Sequence, residues 1–401
     1  MSDTAPRGVR LVIALAGRRN AGKSSLINAL CGQDIAIVSE HPGTTTDPVA
    51  KHYELLPFGP VTFYDTAGLD DEGELGTLRI EATRKVLWRA DVAVIVVGSE
   101  GITNAERDIA SRIRELDIPC VVAFNKRDLR GPSEADAAWC AQNGLTAVEV
   151  SAREGLGVDA LKTALIDAIP AEMREEPMLC ADLVTPGQWV TCVVPIDLSA
   201  PKGRLILPQV QVLRDILDAD ATGIVVKEHD LAASLDNMKD APALVITDSQ
   251  VVDAVAATVP ESVPLTTFST LFARYKGDLA SLVAGAQAID ALKDGDTVLV
   301  AEACSHHAMD DDIGRVKIPA WMKRYTGKDL HFEIYAGHDF PEDLERFALC
   351  IHCGACMLNR REMLRRIREC QRRGVPVTNY GVAISKLQGV LARIIRPLGM
   401  E

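Results

Sequence analysis

The segment GRRNAGKS (17–24) constrains this chain more than any other. It matches G-x-x-x-x-G-K-[ST] and stands between the apolar run VRLVIALA (9–16) and a helical pattern. A buried strand, a glycine-rich loop and a helix in that order make the phosphate-binding unit of a parallel α/β sheet. Gly17 and Gly22 let the backbone wrap closely around phosphate oxygens, with Asn20, Ala21 and Ser25 completing the lining. Amide N–H groups and the positive end of the following helix then face the bound charge. Lys23 reaches the β- and γ-phosphates, and Ser24 ligates magnesium.

Further buried-strand candidates follow at 61–65, 92–98, 120–125 and 146–150, with helical stretches between them. DTAG (65–68) sets Asp65 near the magnesium and the Gly68 amide near the γ-phosphate, with Thr66 and Ala67 between. NKRD (125–128) follows the next strand but one. There the Asp128 carboxylate can accept two N–H donors of a guanine edge while Asn125 and Lys126 pack around the ring. SAREG (151–155) completes the base pocket through Ser151 and Ala152. Four motifs in this order, each at the carboxyl end of a strand, predict a GTPase that binds GTP and Mg2+, with Lys23, Asp65 and Gly68 closest to the chemistry.

The helix candidate 157–169 ends at Pro170, and AEMREEP (171–177) is charged and lacks apolar periodicity, so it reads as a linker. Beyond it the βαβ rhythm resumes, with strand candidates at 189–196, 222–227, 243–247 and 263–267 and helices near 208–219, 230–238 and 250–258. No glycine-rich loop follows these strands, which suggests an interaction or dimerisation module. A long helical pattern (269–292) and a strand (297–302) lead into a third unit. The expected fold is α/β in three domains: a doubly wound GTPase domain (1–172), a central α/β dimerisation domain (178–266) and a C-terminal α/β metal domain (267–401). A net charge of -13 disfavours nucleic acid and anionic membranes as partners, and no run of 18 apolar residues or secretion signal appears, so the expected location is cytoplasmic. The basic segment NRREMLRRIRECQRR (359–373) reads either as a solvated arginine face or as a dock for an acidic partner.

Ten cysteines in a reducing compartment do not read as a disulfide framework. Cys31, Cys120, Cys140, Cys180, Cys192 and Cys370 are scattered and read as small buried hydrophobes. CSHH (304–307) and HCGAC (352–356) differ, because they bring Cys304, His306, His352, Cys353 and Cys356 forward at ligand-like spacing, with Cys350 extending the run to C-x2-C-x2-C. The continuation Met357-Leu358-Asn359-Arg360 departs from the ferredoxin pattern. On spacing, a closed zinc site and an iron-sulfur cluster lacking a fourth cysteine are equally open.

The stretch HPGTTTDPV (41–49), together with the nucleotide motifs, resembles the TrmE-Era branch of translation-factor-type GTPases. That resemblance implies a mobile switch in which Thr45, beside Thr44, is the second magnesium ligand. It also implies that Asn20 helps to bind a potassium ion bridging the phosphates. Leu69 stands where Ras-like enzymes carry a water-orienting glutamine, and Glu74 in the acidic run 70–74 is one substitute for it, against a solvated switch loop. C-x-H followed after 45 residues by H-C-x-x-C on the same chain is similar to the HydF family of FeFe-hydrogenase maturation GTPases. The likeness extends through DDIGRVKIP (311–319), AGHDFPE (336–342), HCGACMLNRREM (352–363) and VPVTNYGVAIS (375–385). It implies a 4Fe-4S cluster on Cys304, Cys353 and Cys356, with His306, His352 or an exogenous donor as fourth ligand. It implies a homodimer that carries the two-iron subcluster precursor to apo FeFe-hydrogenase, with the radical-SAM maturases HydE and HydG as further partners. The alternative is a TrmE-like regulatory or RNA-modification GTPase with a structural or redox-sensing metal domain.

Overall fold

The computed structural model describes residues 10–32, 49–66, 83–170, 178–195, 205–303, 312–337, 340–341, 343–354 and 358–400. The chain divides into two compact units, Met1–Glu176 and Pro177–Glu401.

The strands of the first unit are β1 (Leu11–Ala16), β2 (Val49–Leu55), β3 (Gly59–Asp65), β4 (Val92–Val97), β5 (Cys120–Phe124) and β6 (Thr146–Glu149). They form one sheet in the order β2-β3-β1-β4-β5-β6, parallel except for β2. Every residue of β1 and β4 is buried, because helices cover both faces and leave no polar side of the strand. Alternate residues serve opposite cores. Ile13, Leu15, Val94 and Val96 pack with Leu26, Leu30, Leu161 and Leu165. Val12, Ala14, Ile95 and Val97 pack with Leu87, Ile109 and Ile113. Truncating Ile13 or Ile95 to alanine should cost about 2–5 kcal/mol, since neither cavity opens to water. The helix Asn104–Glu115 starts at a reciprocal cap, in which Glu106 Oε2 accepts the Thr103 N–H at 2.9 Å.

Two differences from the sequence expectation have physical causes. Strand β2 was not expected, because VAKHYEL carries charges and a histidine; it is the sheet's edge, paired antiparallel with β3, where Glu54 is exposed while Lys51 is buried and donates to Asn28. β6 was expected to be buried, yet it closes the opposite edge and three of its four residues are exposed.

The second unit holds two four-stranded parallel sheets. The first contains β7 (Trp189–Val193), β8 (Thr222–Val226), β9 (Leu244–Thr247) and β10 (Leu265–Thr267) in the order β10-β9-β7-β8. The second contains β11 (Thr297–Ala301), β12 (His331–Tyr335), β13 (Leu349–His352) and β14 (Val377–Asn379) in the order β12-β11-β13-β14. One apolar cluster joins them, with Val193, Val245 and Leu265 packed among residues that include Val298, Leu349, Ile351 and Ala383. The helical pattern 269–292 is two helices, Phe268–Lys276 and Leu279–Gln287, followed by a short 3-10 turn. Asp278 caps the second by accepting the Ser281 N–H at 3.2 Å, so Gly277-Asp278 is a stop and a start. Among the described residues no helix is long and apolar enough to cross a membrane.

Candidate functional site

β1 delivers the chain to the phosphate loop. Gly17 leaves no room for a side chain, since a Cβ there would lie 2.4 Å from the Val96 carbonyl oxygen. Gly22 has φ +93°, and its Cβ would lie 2.3 Å from Asn125 Nδ2. Lys23 opens the helix Lys23–Cys31 and folds back over the loop, donating to the carbonyls of Gly17 at 2.9 Å and Arg18 at 3.0 Å. Ser24 Oγ hydrogen bonds to Asp65 Oδ2, so the two expected magnesium-side groups meet. Thr66 is buried and binds the Leu15 carbonyl through Oγ1 at 2.8 Å, which locks the end of β3 to β1.

Asn125 ties the base motif to the phosphate loop. Its Nδ2 donates to the Ala21 carbonyl at 3.0 Å, and its Oδ1 accepts the Ala152 N–H at 3.0 Å. Ser151 Oγ donates to Asp128 Oδ1 at 2.7 Å, which fixes the carboxylate that faces the expected guanine edge. Lys126 takes a left-handed backbone, φ +64°. Gly17, Asn20, Ala21, Gly22, Lys23, Ser24, Ser25, Asp65, Thr66, Asn125, Lys126, Asp128, Ser151 and Ala152 are all described, at the carboxyl edge of this sheet. Thr44, Thr45, Ala67, Gly68, Leu69 and Glu74 lie outside the described residues. No sequence motif marks Arg18 as an anchor: its Nε donates to the fully buried Glu106 at 2.7 Å and its Nη1 to Glu100 at 2.5 Å, clamping the loop to the helix Asn104–Glu115 and the segment before it.

The second candidate site lies at the carboxyl edge of the β12-β11-β13-β14 sheet. Ala301 pairs with both Tyr335 and His352, and His352 pairs with Asn379, so all four strands end together. Cys353 is the first residue past β13. Its N–H donates to the Ala301 carbonyl at 2.8 Å, and its Sγ accepts the Ala303 N–H at 3.0 Å. A peptide N–H on sulfur favours the thiolate, which suits a soft metal or an iron-sulfur cluster. Cys304 follows Ala303 in sequence; it, His306 and Cys356 lie outside the described residues. Near Cys353, the Tyr380 hydroxyl is buried with no hydrogen-bond partner among the described residues. Burial, followed by the charges of Cys353 and Glu302, raises its pKa above the ordinary tyrosine range. A Cβ on Gly314 would lie 1.9 Å from that hydroxyl. Arg315 Nη2 bonds the buried Glu302 at 2.8 Å beside it.

His352 is 1% exposed, with Nε2 3.0 Å from Arg366 Nη1 and Nδ1 2.9 Å from the Cys353 carbonyl oxygen. Burial, then the Arg366 charge, lowers its pKa to about 3. Arg366 is itself buried and paired with Glu362 at 3.0 Å, and Arg365 is buried too. The helix Arg360–Arg372 is therefore not simply a solvated arginine face, and its buried arginines are not available to dock a partner. The i,i+4 spacing of Glu362 and Arg366 was the available signal. Cys350 is fully buried, and the neighbouring Cys370 thiol together with burial pushes its pKa well above the usual thiol range, so it packs as a neutral thiol. Burial alone pushes Cys192 up to about 12. Among the described residues no group of three or more metal-ligating side chains is assembled.

The first unit is thus a P-loop GTPase, and the model of the 50S ribosome-binding GTPase family matches residues 12–126. The hydrogen maturase F dimerization domain matches residues 179–277 and the hydrogen maturase F tetramerization domain residues 280–397. The chain belongs to the hydrogen maturase F family: a GTPase domain that binds GTP and Mg2+ is followed by the regions that the family's dimerization and tetramerization domain models match. The tRNA modification GTPase MnmE of Laribacter hongkongensis is 39% identical over 171 residues, 42% of this chain and 37% of that protein. That of Chromobacterium violaceum is 41% identical over 172 residues, again 42% and 37%. The chain therefore spans little more than a third of these relatives. Among solved structures, Aquifex aeolicus Era bound to GDP.AlF4- aligns with TM-score 0.36 at 21% identity, covering 54% of this chain and 91% of that one. The G domain of the T. maritima FeoB iron transporter aligns with TM-score 0.33 at 21% identity, covering 40% and 99%.

Proposed function

We propose that this chain is a 4Fe-4S-containing scaffold that receives the two-iron subcluster precursor and delivers it to apo FeFe-hydrogenase, with GTP turnover as the switch. The observation that carries the reading is Cys353 Sγ at a parallel sheet edge, accepting the N–H of Ala303, the residue before Cys304, within a chain matched by two hydrogen maturase F models. Cys304, Cys353 and Cys356 would hold the cluster, which would supply an iron able to accept a bridging ligand. The protein's own part is to hold the thiolates, to exclude water with the Tyr380 and Glu302–Arg315 wall, and to change partner contacts with nucleotide state. HydE and HydG are the proposed upstream partners, and a homodimer through the 178–266 region is the proposed minimal assembly, between a GTPase domain at 1–172 and a cluster domain at 267–401.

At the nucleotide site, Thr45 is the proposed second magnesium ligand, and a potassium ion at Asn20 would neutralise charge developing on the phosphates. The MnmE likeness is a partial, GTPase-domain match over 42% of this chain, so it supports a shared switch without carrying RNA modification to this chain. Anaerobic reconstitution with iron and sulfide, followed by metal counting, tests the cluster. About four irons per chain, lost in Cys304→Ala, Cys353→Ala and Cys356→Ala and kept in Cys350→Ala, is the expected result. Stoichiometric zinc in protein purified without oxygen would overturn it.

A further inference from the structure

We infer that His352 is a positioning residue for the Cys353 loop and not an iron ligand, because both of its ring nitrogens are already committed within the protein. The inference rests on the reading that Cys304, Cys353 and Cys356 hold an iron-sulfur cluster. A guanidinium N–H can only donate, so Nε2, 3.0 Å from Arg366 Nη1, is the acceptor. A backbone carbonyl can only accept, so Nδ1, 2.9 Å from the Cys353 oxygen, carries the proton. The two partners together dictate one neutral tautomer. A metal binds imidazole through an unprotonated ring nitrogen, and the only such atom here faces a buried cation.

Arg366 is not free to step aside. Its Nη2 donates to the Glu362 carboxylate and to the Gly337 carbonyl, each at 3.0 Å, and its guanidinium lies 5.2 Å from the centre of the Phe340 ring. Its side chain is 1% exposed and that of Glu362 2%. Withdrawing it would take a counter-charge from a buried carboxylate. Gly337 lies in the loop after β12, and His352 ends β13, so one guanidinium pins two loops of the sheet edge. Through His352 it also holds the Cys353 carbonyl, and so the start of the C-x-x-C segment. The fourth coordination position is then left to His306 or to a donor from outside the chain, which is where a bridging ligand of the cargo can enter.

The test uses the full chain labelled with 15N-histidine, reconstituted anaerobically, reduced and read by pulsed electron paramagnetic resonance. Either no directly bound imidazole nitrogen appears, or its coupling disappears in His306→Ala and persists in His352→Asn. A coupling that survives in His306→Ala makes His352 a ligand and overturns the inference, and that comparison does not depend on any His352 variant folding. Iron release to a chelator is the second readout. His352→Ala should release iron about 10–100-fold faster, as loss of an outer hydrogen bond to a metal site does. His352→Asn, whose amide N–H replaces Nδ1–H, should restore most of the retention, while His352→Gln should not. Equal release from the wild type and His352→Ala would refute the positioning role. A wild type that takes up no iron would refute the cluster itself.

Discussion

Replacing Asn125 by alanine should weaken nucleotide binding by an amount that the hydrogen bonds of the unliganded site already set. The side chain makes two short bonds, from Nδ2 to the Ala21 carbonyl and from the Ala152 N–H to Oδ1, both 3.0 Å, and a longer one from Nδ2 to the Gly22 carbonyl at 3.5 Å. Ala21 is buried, so its carbonyl loses a partner that water does not replace, at about 1–3 kcal/mol. Ala152 is only partly buried, so water can serve its N–H, and about 0.5–1 kcal/mol is the share of that bond. The sum, about 1.5–4 kcal/mol, falls on the arrangement that aligns the phosphate loop with the base pocket. The binding-competent population falls with it, and apparent affinity drops about 10- to 900-fold. Fluorescent-nucleotide titration measures this directly. Because the effect acts through loop alignment, GTP and inosine triphosphate should weaken by the same factor. A loss below about threefold, or one confined to GTP, would refute the reasoning.

Asp128→Asn should move preference from guanine to xanthine nucleotides, since the acceptor that Ser151 orients is lost; competition binding reads it. Asn20→Ala should abolish potassium stimulation of GTP turnover while leaving binding largely intact, and equal wild-type turnover in sodium and potassium would count against the cation. Arg366→Met should destabilise the second unit by about 3–5 kcal/mol, because it removes the buried counter-charge of Glu362, whereas Arg346→Met, at a pair 38% and 40% exposed, should cost under about 1 kcal/mol. Urea unfolding compares the two, and similar midpoints would contradict the burial argument.

The sequence was most legible where physics repeats itself over several residues. β1, β4 and β5 are continuous apolar runs because both faces are covered, and the motifs at their carboxyl ends name the nucleotide site residue by residue. β12, β13 and β14 went unseen as strands, since three to five residues such as VTN or LCIH carry too little period to separate strand from loop. The split at Gly277-Asp278 was readable from the cap signal, but apolar spacing on both sides bridged it. Arg366 was hidden in a run of arginines of which Arg368 and Arg372 do face solvent. Nothing local distinguishes it except Glu362 one turn earlier, and its burial depends on where His352 and Gly337 arrive from distant parts of the chain.

The central claim is that Cys353, at the edge of the β12-β11-β13-β14 sheet, joins Cys304 and Cys356 in holding the cluster with which this GTPase would carry the two-iron subcluster. Its most direct test is hydrogen evolution by apo FeFe-hydrogenase after anaerobic mixing with the reconstituted chain loaded with the two-iron precursor. The account predicts activation by the wild type and by Cys350→Ala, and none by Cys353→Ala at equal protein concentration. Full activation by Cys353→Ala, or none by a wild type that holds its full complement of iron, would contradict it.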